Sequence, residues 1–196
     1  MSHFKPGHKP VIILASKSPR RCALLKKAGL EFSVIPSAYD EETGLDMEPG
    51  KLAEHLALKK AEDIASYNTA ALAIGADTIV VVDGRVLGQP RNHESARQML
   101  EKLSGRAHSV ISAYALVCPE KGIKKVRSAA TKVYFRELSA GEIDAYIKSG
   151  EPMDKAGAYA IQGGAASFVE KIDGDYYNVV GLPVGEVMRD LKEMGY

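Results

Sequence analysis

The segment Leu14-Ala15-Ser16-Lys17-Ser18-Pro19-Arg20-Arg21 constrains the fold more than any other part of the chain. It runs straight from a buried-looking strand, Val11 to Ala15, into a helix, with Ser18 read as the N-cap and Pro19 as the first helical residue. Arg20 and Arg21 then fall on the first helical turn. The macrodipole makes that end positive, so acidic residues are favoured there and an arginine pair calls for an anion nearby. The free backbone N–H groups of the turn and the Ser16 hydroxyl face the same spot, which makes the junction a candidate phosphate cradle.

Downstream, apolar runs with strand character occur at 32–36, 72–75, 79–82, 109–117, 130–135 and 167–172. Helical periodicity interleaves with them at 19–28, 49–67, 94–103, 141–148 and 183–194, several of these ended by glycine. The pattern is α/β. The runs 109–117 and 130–135 flank Glu120-Lys121-Gly122 as a long hairpin, so the sheet is expected to be mixed. A chain of 196 residues, 45% of them hydrophobic, can bury a sizeable core as one domain or as two small lobes around a cleft.

Lys and Arg number 26 against 25 Asp and Glu, so no global basic field argues for nucleic acid or an anionic membrane, and anion binding must be local. Cys22 and Cys118 lack metal or redox spacing and suit reduced thiols in a cytoplasmic protein. No apolar run approaches membrane-spanning length, and the first ten residues lack the apolar core of a signal peptide and read as a flexible extension.

Three further segments carry chemistry. In the 49–67 helix, Ala53, Leu56, Ala57, Ala61 and Ile64 share one face, and Lys60 falls in its middle. Either Lys60 snorkels past the apolar edge, or it is a cation aimed into a cleft and held by a carboxylate or a substrate phosphate. Asp77 and Thr78 sit between two apolar runs, where a carboxylate is costly without a partner; Asp77 is the candidate catalytic group, its alternative being a local cap or turn. Asp40-Glu41-Glu42 offers oxygen ligands or a solvated acidic loop. In 152–164, Asp154, Lys155 and Gln162 stand among small residues that permit close backbone approach; the charged pair is a salt bridge or a ligand contact, and Gln162 reads a base edge or satisfies backbone groups. No phosphate-binding G-x-x-x-x-G-K-[ST] loop, dinucleotide G-x-G-x-x-G, H-E-x-x-H or paired C-x-x-C is present.

With Ser16-x-Ser18-Pro19-Arg20-Arg21, Gly75-Ala76-Asp77-Thr78, Asp154-Lys155, Tyr159-Ala160-Ile161-Gln162-Gly163 and Asn178-Val179-Val180-Gly181-Leu182-Pro183 in this order, the chain resembles the Maf family of nucleotide pyrophosphatases over nearly everything after residue 10. The resemblance implies a single domain over 1–196 with an α/β fold related to the inosine triphosphate pyrophosphatases. Its central mixed sheet and flanking helices would form two lobes around a cleft, in a homodimer. It also implies hydrolysis of the α–β phosphoanhydride of a nucleoside triphosphate with Mg2+ or Mn2+. On that pattern Arg20, Arg21, Lys60 and Lys155 neutralise the triphosphate, Ser16 contributes to the cradle, and Glu41 and Asp77 hold metal. Asp77 also takes a proton from water. Arg20, Thr78 and Gln162 are the positions associated with substrate choice, and the Ala-Tyr-x-Ile-Gln-Gly loop resembles the dTTP and UTP branch. A 7-methyl-GTP pyrophosphatase and a nucleotide-binding regulator of cell division are the alternatives. The chain departs from the family at Gln89, where a lysine is common: the amide keeps a hydrogen-bonding group but brings no charge.

Overall fold

The runs read as strands come together in one sheet. A computed structural model describes residues 11–40 and 45–196. Its strands are β1 (Ile12–Leu14), β2 (Ser33–Val34), β3 (Leu72–Val82), β4 (Arg85–Leu87), β5 (Ala107–Cys118), β6 (Ile123–Phe135) and β7 (Val169–Asp173). They lie in the order β2-β1-β3-β5-β6-β7, with β4 paired to β3. β1 is parallel to β2 and β3, and every other pairing is antiparallel, so the mixed sheet expected from the hairpin is observed. The helices are α1 (Pro19–Lys27), α2 (Pro49–Tyr67), α3 (His93–Leu103), α4 (Ala140–Lys148), α5 (Tyr176–Val180) and α6 (Val184–Glu193). No helix among the described residues is long and apolar enough to cross a membrane.

The pleat of β3 sorts the core. Leu72, Ile74, Ala76, Val80 and Val82 face a large cluster with residues of α1, α3, α4, α5 and α6. Ala73 and Ile79 face the other way, into a cluster with α2. That second cluster is built largely from alanines, with Ala53, Ala57, Ala61 and Ala65 on the helix. The small side chains let α2 approach closely, and Gly75 permits the closest contact. A Cβ at Gly75 would lie 2.1 Å from the Ala57 carbonyl oxygen and 2.6 Å from the Ala61 nitrogen.

Four elements differ from the sequence reading. The runs 72–75 and 79–82 are one strand, because the backbone of Gly75, Ala76, Asp77 and Thr78 pairs with β5 without interruption; Asp77 is therefore not a local cap or turn. β6 begins at Ile123 rather than 130, because residues 123–129 pair with β5 without interruption, while Lys124, Lys125 and Arg127 are ion-paired to Glu62 on α2 and Asp190 on α6. β4 was not foreseen, although it follows a two-residue Asp83-Gly84 turn with φ of 50° and 71°, the Asp-Gly hairpin signal. The expected strand 167–172 begins at Val169, after a turn of 3-10 helix over Gly164–Phe168. Residues 1–10 lie outside the described residues.

Gly75→Ala is expected to force α2 away from β3 and to destabilise the protein by about 3 kcal/mol, the upper end for overpacking against backbone. An unchanged urea midpoint would show that α2 has room to spare.

Candidate active site

Strand β3 is paired on one edge by β5 along most of its length, but on the other only at its ends. β1 covers residues 72–74 and β4 covers 80–82. Between them, residues 75–79 have no neighbouring strand on that edge among the described residues. There β1 has ended and the chain has turned into α1, so the gap lies beside a helix N-terminus. It opens into a cleft of about 1110 Å³. Ser16, Arg20 and Arg21 reach the cleft from the β1–α1 junction, Lys60 from α2, Asp77 and Thr78 from β3, Gln89 from the segment after β4, and Lys155 and Gln162 from the later loop. Of the sequence-derived site residues, Glu41 lies outside the described residues; Asp40 lines the cleft.

Asp77 and Lys60 form an ion pair, Nζ to Oδ1 2.6 Å, with side chains 11% and 16% exposed. Of the two readings of Lys60, the cation held by a carboxylate is the one observed. The pairing follows from the packing described above: Asp77 lies two residues from Gly75 and shares its α2-facing side of the strand, while Lys60 is flanked on the helix by Ala57 and Ala61.

Thr78, the next residue, points to the opposite face. Arg21 Nη2 donates to its hydroxyl at 2.9 Å, Arg21 Nε donates to the Gly181 carbonyl at 2.9 Å, and Nη1 donates to Ser16 Oγ at 3.2 Å. Ser18 caps α1 by accepting from the Arg21 backbone N–H at 3.4 Å. One arginine therefore ties the cradle to β3 and to the end of α5. Behind Thr78 lies a buried polar chain absent from the sequence reading: Ser112 Oγ stands 2.8 Å from the Thr78 hydroxyl and donates to the Asn178 carbonyl, and the Asn178 amide donates to Val110 O and Thr131 Oγ1. Its one visible signal was Asn178 standing among apolar residues.

The later loop is a run of tight turns. Asp154 and Lys155 form the salt bridge that was one of their two readings, the lysine 11% exposed and the aspartate 76%. Lys155, and more weakly Arg20, hold the Asp154 carboxyl below the usual carboxylate range. Gln89 Nε2 donates to the Asp154 carbonyl at 3.3 Å. Tyr159 lies under the loop with its hydroxyl 2.8 Å from His108 Nε2, and both rings meet Phe135 edge-on. His108 is 3% exposed, and burial lowers its imidazole from the ordinary 6.5 to about 4. Ser37, Tyr39 and Arg91 also line the cleft. No sequence pattern marks them, because they reach it from irregular segments.

The mixed sheet with helices on both faces is a fold also seen in a solved protein. The Staphylococcus aureus Ham1 protein superposes with a TM-score of 0.52 at 17% identity, over 94% of this chain and 99% of that one. The family is fixed by sequence: the model of the Maf-like proteins matches residues 11–194, and the chain belongs to the Maf family. Two relatives named dTTP/UTP pyrophosphatase span it nearly end to end. The Geobacter metallireducens protein is 50% identical over 184 residues, 94% of this chain and 96% of its own. The Syntrophus aciditrophicus protein is 47% identical over 184 residues, 94% of this chain and 90% of its own.

Because the folded imidazole of His108 titrates below the unfolded one, the stability tied to its neutral form is complete above pH 6.5 and is lost as pH falls toward 4. The loss amounts to about 3 kcal/mol at full titration. His108→Gln should show a shallower decline than the parent between pH 7 and pH 4 in urea melts; parallel declines would remove His108 as the cause.

Proposed function

We propose that the protein hydrolyses the α–β phosphoanhydride of dTTP and UTP, giving the nucleoside monophosphate and pyrophosphate. One observation carries the reading: a single cleft is lined by six cationic residues, Lys17, Arg20, Arg21, Lys60, Arg91 and Lys155, with a nearly buried carboxylate, Asp77, on β3 and an amide, Gln162, on the late loop. Six Lys and Arg residues outnumber the three aspartates on the same lining, Asp40, Asp77 and Asp154, an excess of cation that suits a polyphosphate, and the names of the relatives at 47% and 50% identity agree with that substrate.

In this reading the N-terminus of α1, Ser16 and the two arginines hold phosphate oxygens, and Lys60 and Lys155 add charge from the α2 and late-loop walls. Asp77 takes a proton from the attacking water as the new P–O bond forms and the bridging bond breaks, and pyrophosphate leaves. A positioned base is worth roughly 10²–10⁴-fold, so charge stabilisation on the phosphate oxygens carries the larger share.

The donor chemistry fits a hard divalent cation. Asp77 presents carboxylate oxygens to the cleft and Asp40 lines it, while no group of three His, Cys, Asp or Glu able to hold a metal occurs among the described residues. Few protein ligands suit Mg2+ or Mn2+, which share their coordination with substrate phosphates. Asp77, together with Glu41, would hold the ion, which when bound polarises the phosphoryl oxygens.

Pyrophosphate release should be measured across UTP, dTTP, CTP, GTP, ITP and 7-methyl-GTP with Mg2+, with Mn2+ and with EDTA. Metal-dependent release strongest with UTP and dTTP is expected; faster cleavage of 7-methyl-GTP would overturn the substrate, and no release at all would overturn the reaction. Asp77→Asn should lower kcat by at least about 10²-fold. Wild-type turnover in that variant would remove Asp77 from its role. Gln89→Lys is expected to raise kcat/KM by adding a charge-assisted contact on the cleft wall; an unchanged rate would mean that Gln89 does not limit the enzyme.

A further inference from the structure

Gln162 occupies the third position of a tight turn closed by the Gly163 N–H donating to the Ala160 carbonyl at 3.1 Å. Its side chain is exposed, lines the cleft and makes no hydrogen bond among the described residues. What it can select therefore depends on where the turn is held, since a Gln amide offers both donors and an acceptor.

The turn is bolted down two residues to either side of Gln162, and by one pair of side chains. On the N-terminal side, the Ala160 N–H donates to the Tyr146 hydroxyl at 3.1 Å. On the C-terminal side, the Gly164 N–H donates to Glu151 Oε2 at 3.1 Å. The two anchors are joined, because the Tyr146 hydroxyl donates to Glu151 Oε1 at 3.0 Å. The backbone lies directly on them: a Cβ at Gly163 would fall 1.9 Å from Glu151 Oε1, and one at Gly164 would fall 3.2 Å from the Tyr146 ring. Tyr146 is fixed in turn by α4, where it is 6% exposed, and by an edge-on contact with Phe168 at 5.2 Å. The neighbours Tyr159 and Ile161 are buried, so Gln162 projects from a turn that is held on both flanks.

We propose that Glu151 and Tyr146 are positioning residues for nucleobase selection, acting through Gln162. This rests on the reading that the cleft takes a pyrimidine nucleoside triphosphate. It assigns the choice of base to a carboxylate and a phenol with no expected contact to the nucleotide. A neutral hydrogen bond read by a displaced amide loses its geometry, while the phosphate contacts from α1, α2 and β3 are left intact, and Lys155 is held by the Glu151 backbone carbonyl and Asp154 rather than by the Glu151 side chain.

The test uses Glu151→Gln and Tyr146→Phe, each alone and combined with Gln162→Ala, with thermal melting to confirm folding. Binding of α,β-methylene-UTP, α,β-methylene-CTP and inorganic triphosphate is measured with Mg2+ alongside pyrophosphate release. The UTP-over-CTP analogue preference should fall about tenfold in both single variants, in the range of one hydrogen bond. Triphosphate affinity should stay at the parent value, and neither substitution should lower the preference further once Gln162 is alanine. An unchanged preference, an equal loss for inorganic triphosphate, or additivity with Gln162→Ala would each overturn the proposal. Parent protein that binds the UTP analogue but releases no pyrophosphate would sink the reaction and leave the positioning role to be decided by the binding data. Parent protein that prefers neither analogue would sink the base-reading role of Gln162 and this proposal with it.

Discussion

A carboxylate 11% exposed at the middle of a strand is tolerable only with a cation against it, and the Asp77–Lys60 pair is the constraint to which much of the surrounding structure answers. For Lys60 to reach 2.6 Å from Asp77, α2 must lie unusually close to β3. Gly75 on the strand and the alanines of the helix allow that approach. The same lysine could not occupy the middle of an apolar face if the strand opposite carried a hydrocarbon side chain at 77. Two features that look like faults when taken singly, a lysine in a buried stripe and an aspartate in a strand, are each the other's compensation.

The cleft has an equally specific origin. β1 stops at Leu14, β4 begins its pairing only at Val80, and the edge of β3 between them is left without a strand among the described residues. Exposed backbone at a strand edge invites a partner, and here the gap borders a helix N-terminus that is itself rich in unpaired donors. Arg21 fastens the two, with donors to Ser16, Thr78 and Gly181. It thereby makes the start of α1, the middle of β3 and the end of α5 one rigid wall. Under the proposed reaction, that wall holds a polyphosphate in a preorganised field, which is where hydrolysis of a phosphoanhydride gains most.

Opposite this wall the late loop is specified by hydrogen bonds rather than by apolar packing alone. His108 and Tyr159 support it from beneath, and Tyr146 and Glu151 fix the turn that carries Gln162. Burial, and then the Glu151 carboxylate, hold the Tyr146 phenol above its ordinary value. The two sides of the cleft thus differ in how they are held: by an arginine at a helix N-terminus on one, and on the other by hydrogen bonds from Tyr146 and Glu151 to a loop that carries Lys155 and Gln162.

Local periodicity and end signals determined much by themselves. Pro49 to Tyr67 is a helix because its apolar residues recur with the helical period, and the observed helix has those bounds. The β5–β6 hairpin, the strand-to-helix junction and the odd placement of Lys60 and Asp77 were all legible for the same reason: each is a pattern within a few residues of its cause. Tertiary structure alone decided that Asp77 lies in an unbroken strand, since backbone pairing with β5 overrides the turn character of its neighbours. It alone paired Lys60 with Asp77 rather than leaving it at the surface, and it alone brought Ser112 and Asn178 behind Thr78, across 34 and 100 residues of chain. It also set Glu151 and Tyr146 against the backbone that flanks Gln162. Contacts between distant segments depend on how helices and strands pack, and one-dimensional spacing carries no information on that until the sheet has been assembled.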